Sequence, residues 1–330
     1  MRRPHDSRRR DITLALAGLL ALALPGRLAA EVTITEVDKK LRVEIDGELF
    51  TEYVYQEFPR PYLFPVLGPG GESMTRSWPM KEGVPGEQKD HVHHHSIWHG
   101  HQAISGHDLW HQGRGKGTIV HEELLETTSG EVGTIVTRNR WLAPDKTVLC
   151  TDETTLRFFG KDGGRFIDFN VVMKATHGDV VFGDEKDGFV AMRTNPALRI
   201  KNAEGKRGTG SALNSEGQRD AELWGQAAEW VDYWGPIDGK TVGIAIFDNP
   251  ANLRHPTTWH ARDYGLVTAN PFGLHFFSGE KLPRDAGEFT LKADEELPLR
   301  YRFYIHEGDA TEAQTAEHYK AYCEETKECK

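Results

Sequence analysis

Cysteine is scarce, with three residues (Cys150, Cys323 and Cys329) in a chain of 330. An odd count excludes a disulfide framework as the scaffold. Cys323 and Cys329 are spaced to close one small C-terminal loop. Cys150 falls in a strand-like run, where a buried small apolar residue is expected rather than a nucleophile. Long hydrophobic runs are also few. The longest, residues 12–24, is interrupted by Thr13 and Gly18 and falls short of the ~20 residues that cross a bilayer, which excludes an integral membrane protein. No His-Glu-x-x-His helix and no paired-cysteine metal motif is present. A basic stripe is missing as well. Once residues 1–30 are set aside, 34 basic residues face 48 acidic ones, a net charge of −14. That sign repels a phosphate backbone, so nucleic acid is not an expected partner.

What is present begins with an export signal. Arg2, Arg3, Arg8, Arg9 and Arg10 precede the apolar run and small residues follow it at 26–30, which predicts cleavage after Ala30 and a periplasmic or extracellular protein. The run Arg8-Arg9-Arg10 also fits twin-arginine export. Residues 31–330 are expected to form a single domain, and 38% hydrophobic residues with 8 Trp, 15 Phe and 9 Tyr can build a substantial core.

That domain reads as β. Runs at 32–37, 41–45 and 49–55 are rich in β-branched and aromatic residues and are separated by turn-formers such as Asp46-Gly47. A meander is predicted over 117–126, 133–141, 147–159 and 165–175, its turns marked by Ser129-Gly130, Pro144-Asp145 and Asp162-Gly163-Gly164. Later strands are predicted at 179–182, 241–247, 272–277, 288–293 and 297–306. Helical periodicity is convincing only at 311–325. Many short strands with little helix between them predict a large antiparallel β-sandwich with one C-terminal helix. Two stretches break the rhythm, 68–117 and 201–225, and both are expected as loops.

Nine of the 16 histidines lie between His91 and His121. Three imidazoles can form an open metal site, and if residues 90–96 are extended, His91, His93 and His95 point one way and His94 the other. Asp90 and Asp108 could then orient ring nitrogens. His91, His94 and His101 are the candidate ligands, and a divalent metal is the one cofactor they would suit. The competing reading makes the histidines acid–base or hydrogen-bonding groups facing a sugar, with Trp98 and Trp110 beside them; a structural role is the third.

Three other constellations carry polar chemistry. Asp184, Glu185 and Asp187 follow a strand end; Glu185 is the candidate base, with Arg193 downstream as a carboxylate partner or substrate clamp. Asp232 between Trp230 and Trp234 would suit a sugar ring on indole with its hydroxyls on the carboxylate, although large aromatics are mostly buried. The run 248–265 packs His255, His260, Arg262 and Asp263 into a loop, followed by Asn270 and His275. His260 with Arg262 and Asp263 offers a base, a cation and an orienting carboxylate.

Taken together, Asp90-His91, His94, Ile97-Trp98, Gly100-His101 and Asp108-Leu109-Trp110 resemble the hallmark of a family of exported bacterial proteins. So do Gly183-Asp184, Gly188-Phe189, Arg193, Trp230-Val231-Asp232-Tyr233, the run from Arg254-His255-Pro256 to Tyr264-Gly265, and Asn270-Pro271-Phe272-Gly273. That family, a domain of unknown function, is labelled "PmoA family" or "methane oxygenase PmoA". The methane oxygenase subunit of that name is an integral membrane protein, so for this chain the label reads as a misnomer. The resemblance implies a galactose-mutarotase-like supersandwich and carbohydrate chemistry. His95-Ser96, often Arg-Gly in the family, and His99 depart from its pattern. The resulting expectation is a carbohydrate-active hydrolase, lyase or epimerase, with His94, His260 and Glu185 as acid–base groups. Trp98, Trp110, Arg193, Asp232, Trp234, Arg262, Asp263, Asn270 and His275 are the expected substrate contacts. A non-catalytic saccharide-binding module and a His-ligated metal oxidase or oxygenase are the alternatives.

Overall fold

A computed structural model describes residues 1, 30–56, 59–84 and 86–327. The expected export signal, apart from residues 1 and 30, and Cys329, hence its expected pairing with Cys323, lie outside the described residues. The chain opens with β1 (Val32–Val37), β2 (Lys40–Ile45), β3 (Glu48–Val54), β4 (Tyr62–Val66) and β5 (Ile97–His101). The meander follows as β6 (Thr118–Thr128), β7 (Gly133–Leu142), β8 (Val148–Lys161) and β9 (Gly164–Lys174). Next come β10 (Val180–Phe182), β11 (Gly188–Arg193), β12 (Ser211–Asn214), β13 (Trp230–Ile237), β14 (Lys240–Asp248) and β15 (Leu266–Ala269). A single helical turn, α1 (Leu274–Phe277), β16 (Phe289–Leu291), β17 (Glu296–Glu307) and the C-terminal helix α2 (Thr315–Lys327) complete it.

The strands form a seven-stranded sheet ordered β1-β2-β3-β4-β5-β11-β15, an eight-stranded sheet ordered β12-β13-β14-β17-β9-β8-β7-β6, and the β10–β16 pair. The fold is mostly β, its ladders antiparallel, as the sequence predicted. Alternation decides which side chains point inward. In β7, Ile135, Thr137, Asn139 and Trp141 are buried while the residues between them are half-exposed. The inner faces meet through Phe50 against Phe158 (6.2 Å between centroids) and Trp141 against Phe189 (6.1 Å).

Over 164–169, 230–233, 242–248 and 301–306, strands β9, β13, β14 and β17 are buried on both faces because α2 covers the outer one. Thr315, Tyr319 and Tyr322 recur at i, i+4 and i+7 along α2; the two tyrosines pack with Phe166, Trp230, Phe247 and Tyr304 of the sheet. Arg302 of β17 joins the layers, pairing with Asp168 at 2.5 Å and with Glu325 of the helix at 2.6 Å.

Two expectations are corrected here. Residues 272–277 form a turn and α1 instead of a strand, because Phe277 folds back to bond Gly273 (3.0 Å). The irregular stretch 68–117 contains a central strand, β5, buried along its whole length; its His-Gly-His sequence disguises a core position.

Candidate functional site

The site is built on β5 and β11, which pair so that Trp98 lies opposite Ala191. Ile97 and His99 point into the sandwich; Trp98 points out of it. The small Ala191 leaves room for the indole, and Trp98 packs with Trp110 at 5.3 Å, both fully buried. These indoles are therefore a buried floor, not the substrate contacts expected from the sequence.

His94 rests on this floor, stacked 5.3 Å from Trp98 and edge-on 6.0 Å from Trp110. Arg193 Nη1 donates to His94 Nδ1 at 3.0 Å. A guanidinium can only donate, so the His94 proton sits on Nε2. Burial and the Arg193 charge push the His94 pKa well below its ordinary value. His94 is thus a neutral hydrogen-bond donor.

Residues 91–94 form a turn where an extended segment was expected. His91 has a left-handed backbone (φ 39°) and its carbonyl accepts from the His94 N–H at 3.0 Å. The turn brings His91 onto His94 (4.8 Å, 13° between planes) and onto Tyr264 (5.4 Å, 13°). His93 sits 4.5 Å from both His94 and His111. Burial and the neighbouring His111 and Arg60 push its pKa down to about 3.

Three carboxylates stand behind three imidazoles. Asp90 meets His91 Nδ1 at 2.8 Å and Asp108 meets His111 Nδ1 at 3.0 Å. Asp187 approaches His260 Nδ1 to 3.3 Å, within ion-pair reach but off the line of a hydrogen bond. A carboxylate at Nδ1 holds the proton there and leaves Nε2 as the basic nitrogen. Burial would raise Asp187, yet His260, Lys186 and His111 hold it below the usual carboxylate value. Burial keeps the His260 pKa low despite Asp187. The Asp187 charge also reaches His93, so the dyads form one electrostatic neighbourhood.

Of the residues expected from sequence, the structure gathers His94, His260, Arg193, Trp98 and Trp110 here. Glu185 is turned away: its carboxylate pairs with Arg284 at 2.5 Å, and the acid facing His260 is Asp187. Asp232 lies on the other sheet, fully buried beneath α2, accepting from Thr315 Oγ1 (2.7 Å) and His306 Nε2 (3.1 Å). It anchors the first turn of the helix, where a carboxylate is favoured. Trp234 shares that strand, half-buried. We expect Asp232→Ala to cost about 1–3 kcal/mol of stability, read as a lower urea midpoint; an unchanged midpoint would show that this carboxylate does not anchor the helix.

Arg262 stands 5.4 Å from the Tyr264 ring, and Asp263 pairs with Lys201 at 2.7 Å. Asn270 is a fully buried staple, donating to the carbonyls of Glu185 (2.9 Å) and Lys186 (3.0 Å); it positions the loop that carries Asp187. His275 bonds the Leu282 carbonyl at 2.7 Å at the protein surface.

The three candidate metal ligands do not converge. His91 and His94 lie ring against ring, so their nitrogens run side by side. His101 donates from Nε2 to the Gly183 carbonyl at 2.8 Å and packs on Phe272. Among the described residues, no group of three His, Cys, Asp or Glu is arranged to hold a metal ion. Cys150 is buried, as its strand position implied.

Sequence reasoning missed Asp187 as a partner, Tyr264 as the ring beneath His91, and the inward-facing pair His99–Asp152 (3.1 Å). Asp187 immediately precedes β11, and that adjacency to a core strand was the available signal.

These features define a two-sheet antiparallel β protein with a histidine–carboxylate site on the outer face of one sheet. Residues 40–320 match the Family of unknown function (DUF6807), and the chain belongs to that family. No curated protein matches it. Among solved structures it is similar to a galactose mutarotase related enzyme of Lactobacillus acidophilus, with TM-score 0.29 and 14% identity over 83% of this chain and 97% of the other. A Synechocystis protein gives 0.32 and 9% over 84% and 96%. The α-galactosidase of Lactobacillus brevis gives 0.33 and 8% over 84% of this chain and 39% of its own. Scores this low carry no site from one protein to another. Among the described residues no helix is long and apolar enough to cross a membrane.

Proposed function

We propose that the protein is a carbohydrate-active enzyme, a hydrolase, lyase or epimerase, working by histidine–carboxylate acid–base chemistry. The observation that carries this reading is three imidazoles, each with a carboxylate at Nδ1, of which His91 stacks on a neutral His94 while the Asp187 of the His260 pair reaches His93. A passive site has little use for basic nitrogens held in one tautomer; proton transfer does. The half-exposed His93 and Tyr264 and the exposed His91 present polar edges at the surface. The His94 Nε2–H and the nearby carboxylates alternate donors with acceptors, as a polyhydroxylated ring requires.

In this scheme His260 Nε2 removes the proton and Asp187 stabilises the imidazolium that forms, while His94 donates a hydrogen bond to developing negative charge on a substrate oxygen. Read with residues 1–30 as an export signal, the chemistry would take place outside the cytoplasm.

The test is turnover on a panel of aryl glycosides, aryl uronides and keto-sugars. Asp187→Asn and His260→Ala are expected to reduce kcat/KM by about 10²–10⁴-fold, and Glu185→Gln to leave it near the wild type. Full turnover in Asp187→Asn would sink the assignment. Binding without any product across the panel would make the protein a saccharide-binding module.

A further inference from the structure

Beneath the histidines lies a group of arginines with too little negative charge to match. Arg76, Arg193 and Arg199 are all buried to within 1% of complete burial. Arg76 pairs with Asp90, and its Nη2 also bonds the His91 carbonyl at 2.7 Å. Glu87 stands nearby, but its two oxygens are committed to the backbone N–H groups of Ser77 (2.6 Å) and Trp78 (2.7 Å). Asp90 is therefore the carboxylate in contact with the guanidiniums, while the Glu87 charge still reaches Arg76 and Arg199. Mutual repulsion shows in Arg193: burial, then Arg76 and Arg199, bring its pKa down to about 9 against the opposing pull of Asp90. Such a concentration of cations is unexpected in a chain whose overall charge is −10.

The pattern of used and unused donors is more specific than the charge. Arg193 spends Nη1 on His94 (3.0 Å) and Arg199 spends Nη1 on Gln88 (3.0 Å). In both, Nε and Nη2 are buried without a hydrogen-bond partner in the chain. Nε and Nη2 lie on one edge of a guanidinium, where two parallel N–H groups match the two oxygens of a carboxylate. For Arg193, Asp90 Oδ2 stands 3.6 Å from Nη2, an ion-pair contact that leaves the hydrogen bonds unmade. Buried donors normally find partners, and each one left unmade costs about 1–3 kcal/mol. The Arg193 guanidinium also lies 4.5 Å over the Tyr264 ring, the ring on which His91 stacks. Asp90, with 34% of its side chain exposed, lies between the buried guanidiniums and solvent.

We propose that the ligand of this site is an acidic saccharide, a uronic or aldonic acid unit, whose carboxylate docks two-pronged on the Nε–Nη2 edge of Arg193. Arg76 and Arg199 supply the surrounding positive field. The carboxylate sits beside Tyr264 and places the sugar ring against His91 and His93. This inference rests on the carbohydrate reading above and names its substrate class.

The experiment is calorimetric titration of the full chain with glucuronate, galacturonate, glucose, galactose and glucose 6-phosphate, for the wild type, Arg193→Lys and Arg199→Lys. Lysine keeps the charge but loses the fork. A uronate is expected to bind at least tenfold more tightly than its neutral counterpart, with Arg193→Lys removing most of that margin. Equal affinity for acidic and neutral sugars, or a margin that survives in Arg193→Lys, overturns the proposal. So does preference for the sugar phosphate over the uronates. If Arg193→Lys does not fold, the wild-type ratio decides alone. Uronate binding without turnover of any uronide would uphold the docking and end the enzymatic reading; turnover of neutral glycosides without acid preference would do the reverse. Failure of every sugar to bind would end both.

Discussion

Lowering the pH from 7 to 5 is expected to remove most of the stability of this protein. Burial holds His93, His94, His95 and His101 neutral in the folded chain; His93 is pushed down to about 3 and His101 to about 4, and His94 and His95 well below their ordinary value. In the unfolded chain each titrates near 6.5. Below that pH the unfolded state binds more protons than the folded one, so stability falls as pH falls, until the folded pKa values are reached. Each such side chain contributes about 1.4 kcal/mol per pH unit, and four together roughly 5 kcal/mol per unit. That compares with a typical total of about 5–15 kcal/mol. Asp90, Asp108 and Asp187, held low by their cationic partners against the effect of burial, add a further loss below about pH 4. His306 works in the opposite sense. Burial lowers it, but Asp232 raises it more, so its contribution is present below 6.5 and fades as pH rises through its folded value. Stability should therefore peak near neutrality. Urea midpoints at pH 7.5, 6.5, 5.5 and 5.0 measure this directly, and a flat profile would mean the histidines are not neutral in the fold. His101→Gln should reduce the acid slope by the share of one imidazole.

Asp152→Ala should cost about 3–5 kcal/mol, the range for stripping one partner from a buried charged network. Asp152 of β8 is fully buried and receives hydrogen bonds from Asn139 Nδ2 (2.8 Å), Trp141 Nε1 (2.7 Å) and Thr154 Oγ1 (2.7 Å), with His99 Nε2 at 3.1 Å. His99 belongs to the seven-stranded sheet and the other donors to the eight-stranded one, so this carboxylate ties the two inner faces together. Burial would raise its pKa, but His99 and these donors hold it low. Removing it leaves four buried donors unmatched. Asp152→Asn keeps one acceptor and should cost less than Asp152→Ala. Urea unfolding compares them, and near-ultraviolet circular dichroism of Trp141 reports the packing. A loss under about 1 kcal/mol for Asp152→Ala would show that the sheets are held by apolar contact alone.

The two predictions draw on one run of histidines that occupies two settings, and the sequence could not separate them. His99 and His101 occupy β5, one facing the sandwich core and the other a pocket with Phe182 and Phe272; His91, His93 and His94 belong to the preceding turn. In the chain they form one run, and density alone marked the whole run as functional. Only at Ile97, where pairing with β11 begins, does alternation start to govern which way a ring points.

Local chemistry was enough for the β architecture. The alternation along β7, the turn residues at Asp46-Gly47 and Asp162-Gly163, and the i, i+4, i+7 spacing of α2 are short-range patterns, and the structure follows them. The same holds for the concentration of polar aromatic groups between β4 and β6 and in the run 248–265. Which acid meets which base was decided by contacts far apart in the chain. Asp187 rather than Glu185 faces His260 because Asn270, more than eighty residues on, clamps the intervening carbonyls. Asp232 became a helix anchor because α2, 83 residues later, covers its face of the sheet. Strand patterns are written in neighbouring residues, whereas the pairing of side chains from separate loops depends on the path each loop takes over the folded sheet, and that path exists only once the sheets have packed.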